Sequence, residues 1–99
     1  MTSMEYRNFV MEHNRDTFQE ICSRLASQTK ELLDLIKKRD LHGKSISKDR
    51  IKDECGDLMF YLISFLIDEG LSIEGITDFN AAKIKARSPL IFRKNNRSQ

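Results

Sequence analysis

The chain has 99 residues, of which 39% are hydrophobic, 32% charged and 8% aromatic, with no tryptophan. That is enough for one small soluble domain, and four glycines with one proline speak against disorder and against a turn-rich β design. Seventeen basic residues against fifteen acidic ones give a formal charge of +2, too little to mark a protein that binds a nucleic-acid polymer.

Residues from about Met4 to Glu20 carry Tyr6, Phe9, Val10, His13, Thr17 and Phe18 at helical spacing, with Asn14 and Asp16 as a possible break. A second helix is expected from about Ile21 to Lys38, where Leu25, Leu32, Leu35 and Ile36 form one apolar stripe. Gly43, in Arg39-Asp40-Leu41-His42-Gly43-Lys44, marks the loop that follows. Ser47 is placed to cap a third helix, Asp49 suits its positive N-terminal dipole, and Gly70 ends it. Between Leu58 and Ile67 that helix is apolar nearly all round, broken only by Ser64. Its second helix can cover one face, and Phe60, Ile63 and Ile67 then call for another partner, most simply a second subunit.

Ser72 can cap a fourth helix with Ile73, Ile76, Phe79 and Ile84 inward, ending before Pro89. The reading is one all-α domain over 1–92 and a polar tail over 93–99. No apolar run reaches the ~18 residues of a membrane span, and the first residues lack the layout of a secretory signal, so a cytoplasmic protein is expected. Cys22 and Cys55 are then expected to be reduced, and without a Cys-x-x-Cys a zinc site is not expected.

Two pairs of side chains carry the chemistry. Gln28 and Glu31 are three apart on the second helix and share a face with Leu35. Glu54 and Asp57 are three apart on the third, with Tyr61 following on the same face. Carboxylates bordering a core are costly unless neutralised, so they either bind cations or open into a wet cleft. Facing pairs of oxygen donors are what a hard divalent ion takes, and salt links to Lys30, Lys48 or Lys52 are the plainer alternative. On the fourth helix Asn80, Lys83 and Arg87 lie at i, i+3 and i+7, a face that could clamp phosphates or simply be solvated.

In order, Leu25-Ala26-Ser27-Gln28-Thr29-Lys30-Glu31-Leu32-Leu33-Asp34-Leu35-Ile36-Lys37-Lys38, His42-Gly43-Lys44, Asp53-Glu54-Cys55-Gly56-Asp57-Leu58-Met59-Phe60-Tyr61-Leu62 and Asn80-Ala81-Ala82-Lys83-Ile84-Lys85-Ala86-Arg87-Ser88-Pro89 make up a distinctive series. It resembles the MazG-like nucleotide pyrophosphohydrolases. The resemblance implies a homo-oligomeric bundle of four or five helices, a homodimer or homotetramer. It also implies Mg2+-dependent hydrolysis of a nucleoside or deoxynucleoside triphosphate to the monophosphate and diphosphate. By the same resemblance Gln28, Glu31, Glu54 and Asp57 would be metal ligands, and Glu31, Glu54 and Asp57 the catalytic set. Asn80, Lys83 and Arg87 would bind the phosphates, with Tyr61 a further substrate contact. The sequence departs from the family pattern at Gln28, where a glutamate is usual, and at Ser88, where a tyrosine is usual. Gln28 brings an oxygen donor but no negative charge. A catalytically weakened relative that binds nucleotide or a protein partner as a regulator is the alternative.

Overall fold

The computed structural model describes residues 1–87 and contains four helices and no strand among them. Helix α1 spans Ser3–His13, α2 Phe18–His42, α3 Lys48–Asp68 and α4 Ile73–Arg87. The all-α class is as expected. The expected end of α4 before Pro89, and the polar tail over 93–99, lie outside the described residues.

Local chemistry starts each helix. Thr2 and Thr17 sit in extended backbone and form capping boxes, Thr2 with Glu5 and Thr17 with Glu20. The break at Asn14–Thr17 therefore separates two helices, and α2 begins at Phe18 rather than Ile21. Ser47 caps α3 through the Arg50 N–H at 3.1 Å, and the Ser72 hydroxyl accepts from the Gly75 N–H at 2.9 Å, as the sequence led us to expect. Helix α2 runs to His42, four residues beyond the expected Lys38, and Gly43 closes it at φ 67°, a left-handed conformation that only glycine adopts without cost.

Helices α2 and α3 pack along most of their length, and α1 packs across α3. On α2 the buried residues are Ile21, Gln28 and Leu35, seven apart and so on one line of the helix surface. On α3, Ile63 and Leu66 join Val10 of α1 in the core, with Phe60, Phe65 and Ile67 packed around them. A partner for Ile63 is therefore supplied within the chain, by Val10 of α1, and Phe60 and Ile67 are partly buried beside it. Buried Ser64 satisfies its hydroxyl by donating to the Phe60 carbonyl one turn back, at 2.8 Å.

A correction concerns α4. Its apolar residues do not turn inward along its length: only Ile73, in the first turn, packs on the core. Ile76 and Ile84 are exposed, and Phe79 is 72% exposed. A side-chain link from the Ser3 hydroxyl to the Glu74 carboxylate, 2.8 Å, ties the start of α4 to α1. The rest of α4 contributes no buried residue.

Candidate functional site

One member of each expected pair meets the other across the α2–α3 interface, Gln28 against Glu54, and each pair is split between inside and outside. Gln28 and Glu54 are buried, whereas Glu31 and Asp57, one turn further along their helices, are exposed. Gln28 lies in the middle of the buried line of α2, where an unbonded amide would cost about 1–3 kcal/mol. It meets that demand on α3. Its Nε2 donates to Glu54 Oε1 at 2.5 Å and reaches the Glu54 carbonyl at 3.5 Å. A carboxylate is acceptor-only, so it selects the orientation in which the amide nitrogen faces it.

Glu54 is only 6% exposed. Its other oxygen, Oε2, accepts from Arg50 Nε at 3.3 Å, one helical turn away. No motif in the sequence marks Arg50. The signal was present as an i, i+4 Arg–Glu spacing, but such pairs are common on solvated helix faces and do not stand out.

Glu31 and Glu54 line one cleft of about 170 Å³, together with Asp34, Leu35, Lys38 and Arg50. Lys30 does not enter it: its ammonium pairs with Asp34 at 2.8 Å on an exposed face. That contact holds the Asp34 carboxyl below the usual aspartate range, helped by the charge of Lys30 and those of Lys37 and Lys38. Asp57 is absent from the lining of this cleft. Partial burial, then the negative charges of Asp53 and Glu54, push its carboxyl above the usual range. Across from it, burial and the Asp57 charge raise the Tyr6 phenol of α1.

Tyr61 is half-buried in a separate cluster. Its ring meets Phe60 edge-on at 5.5 Å between centroids, and the Arg24 guanidinium lies 6.0 Å from its centroid. Arg24 is held in turn by Asp16 at 2.9 Å. Asn80, Lys83 and Arg87 sit on the exposed length of α4, and none of them lines the carboxylate cleft. A single chain thus brings Gln28, Glu31 and Glu54 together and leaves the α4 cations elsewhere.

The donors on α2 and α3 are all oxygens, the chemistry a hard divalent ion takes. Among the described residues, however, no three Asp, Glu, His or Cys side chains are grouped so as to hold a metal ion in this conformation. Glu54, the donor nearest the centre, has both oxygens engaged by Gln28 and Arg50.

Searches among curated proteins and among solved structures return no match. A family model does match, that of the MazG nucleotide pyrophosphohydrolase domain, over residues 16–92. The matched stretch takes in α2, α3 and α4, with the Thr17 cap of α2 and both halves of the Gln28–Glu54 contact. The α-helical architecture and the match over most of the chain agree, and the chain belongs to the MazG nucleotide pyrophosphohydrolase domain family.

Proposed function

We propose that the chain is a Mg2+-dependent nucleoside triphosphate pyrophosphohydrolase, converting an NTP or dNTP and water to the monophosphate and diphosphate. The observation that carries this reading is the Gln28–Glu54 contact, which sets two donor-bearing helices of a MazG domain face to face beside an acidic cleft. Gln28, Glu31, Glu54 and Asp57 would hold the ion. When bound, Mg2+ supplies charge neutralisation and Lewis acidity at the phosphate oxygens.

The remaining steps fall to the chain's own residues. Glu31, exposed at the rim of the cleft, and Glu54, at its floor, are the acceptors that can orient a water for attack on the α-phosphorus. As the bond from the α-phosphorus to the bridging oxygen breaks, the diphosphate leaves with added negative charge. Lys83 and Arg87 are suited to stabilise that charge and Asn80 to orient the chain of phosphates. Tyr61, with one polar tip on an apolar ring, is a further substrate contact. Because α4 stands away from its own cleft, these α4 contacts go together with the homodimer or homotetramer that would cover Ile76, Phe79 and Ile84.

One observation favours a second reading. A buried carboxylate already satisfied by an amide and a guanidinium is also what a weakened, nucleotide-binding regulator would retain. A turnover assay separates the two. The full chain is incubated with a panel of NTPs and dNTPs, with Mg2+ or with EDTA, and the products are separated by chromatography. Monophosphate and diphosphate formed only with Mg2+, and lost in Glu54→Gln, are the expected result. A nucleotide-dependent rise in melting temperature with no product would overturn the enzyme in favour of the regulator.

A further inference from the structure

We propose that Arg50 is a built-in counter-ion for Glu54, holding its carboxylate when no divalent ion is present and giving way when one binds. The inference rests on the metal-binding reading above and adds a residue to it that no sequence motif singles out.

Three features of the α2–α3 cleft carry the argument. The first is need. Glu54 is almost fully buried, and a buried carboxylate without a partner is strongly unfavourable. Gln28 satisfies one of its oxygens but brings no charge, so hydrogen bonding alone leaves the negative charge in place. The second is identity. Among the described residues Arg50 is the cation that reaches Glu54: its Nε donates to the oxygen that Gln28 leaves free. The arginine therefore stands on the side of the carboxylate that opens to the cleft, where Glu31 and Asp34 also lie.

The third is ease of release. The contact is a single hydrogen bond at 3.3 Å, longer than the ~2.7–2.9 Å of a strong guanidinium–carboxylate bond, and is not the two-pronged kind. More than half of the Arg50 side chain is exposed, 57%, so it can return to water at little cost. Its backbone N–H is held separately by Ser47, so the side chain can leave without loosening the start of α3. Gln28, by contrast, is buried in the interface and stays in place. The cleft thus has one fixed neutral partner and one removable cation around a carboxylate.

Competition follows from this arrangement. A cation that has to be displaced subtracts its own interaction from the affinity of the incoming ion. Removing a half-exposed ion pair of this kind should tighten Mg2+ binding by about 2- to 5-fold. It should also lower the melting temperature of the metal-free chain, since Glu54 then stays buried with only Gln28.

The test uses the full chain as wild type, Arg50→Ala and Arg50→Gln, the last keeping a hydrogen-bond donor without the charge. Thermal unfolding is followed in EDTA and in excess Mg2+, Mg2+ binding is measured by calorimetry without nucleotide, and turnover is measured separately. The expected result is a lower melting temperature for both variants in EDTA, a larger Mg2+-induced rise than in wild type, and tighter Mg2+ binding. Equal Mg2+ response and equal affinity in all three proteins would overturn the inference, and with turnover intact would leave the enzyme reading standing. Absence of Mg2+ binding from all three, together with absence of turnover, would overturn both. Should Arg50→Ala fail to fold, Arg50→Gln decides the comparison on the same criteria.

Discussion

Asp57 sits where its charge is opposed, since partial burial, then its neighbours Asp53 and Glu54, disfavour the carboxylate. The folded chain therefore holds the Asp57 proton more tightly than the unfolded chain does. Stability falls as pH rises from the ordinary aspartate value through the raised folded one, and remains lower above it. Asp57→Asn removes that penalty. In EDTA at neutral pH it should raise the melting temperature by about 1–3 °C, a small effect because the exposed side chain is screened. The gain should disappear below the ordinary aspartate range, where both proteins are neutral at this position. Thermal unfolding at neutral and at low pH checks this, and an equal difference at both would mean the charge is not the cause. Turnover by the same variant should be lost if Asp57 holds the ion.

At the scale of the helix, the caps are the most accessible test of how the chain is divided. Thr17 accepts from the Glu20 N–H at 3.2 Å, and the Glu20 carboxylate accepts from the Thr17 N–H at 2.8 Å. This box starts α2 directly beside the break that separates it from α1. Thr17→Ala should cost about 1 kcal/mol, or roughly 4–8 °C for a domain of this size, and Thr17→Ser should recover most of it. Calorimetry of the three proteins measures the difference, and an unchanged melting temperature in Thr17→Ala would show that α2 does not depend on the cap. The Glu20 carboxyl is held below its usual range, first by the Thr17 backbone N–H. The corresponding stability is present above the ordinary glutamate value and is lost as pH falls through the lowered one.

At the scale of the whole molecule, α4 is the feature that a single chain leaves unresolved energetically. Ile76, Phe79 and Ile84 all lie exposed on a helix that joins the core only through Ile73. Burying one such phenylalanine would gain about 1.5–3 kcal/mol, and a symmetric contact between copies gains it twice. Sedimentation at micromolar concentration should therefore show a dimer or tetramer. Phe79→Asp should shift the distribution to smaller species while the α-helical signal is kept. A wild-type chain that sediments as a monomer would overturn this.

Much of the fold was legible because helix boundaries are local chemistry. Ser47, Gly43, Gly70 and Ser72 act through contacts within a few residues, and the structure has each of them at a helix end. That Gln28 and Glu31 share a face of α2, and Glu54 and Asp57 a face of α3, was legible as spacing, three residues being close to one turn. What spacing could not decide is which member of each pair faces inward. Burial depends on how α2 and α3 are turned against each other, and that places Gln28 and Glu54 inside and their neighbours outside.

The remaining differences have the same origin. The apolar girdle of α3 showed that partners were needed, and only the path of the chain made α1 the one that covers Ile63. The apolar spacing of α4 resembled that of an inward helix, but amphipathic spacing marks a face without saying what meets it. By itself the sequence determined the all-α class, the punctuation at Gly43, Ser47, Gly70 and Ser72 and the residues with oxygen donors, because these follow from short-range geometry and side-chain chemistry. Only the tertiary structure decided that Glu54 is buried between Gln28 and Arg50 and that α4 stands clear of the cleft. Both depend on contacts between residues far apart in the chain, whose free energy exists only once the helices have packed.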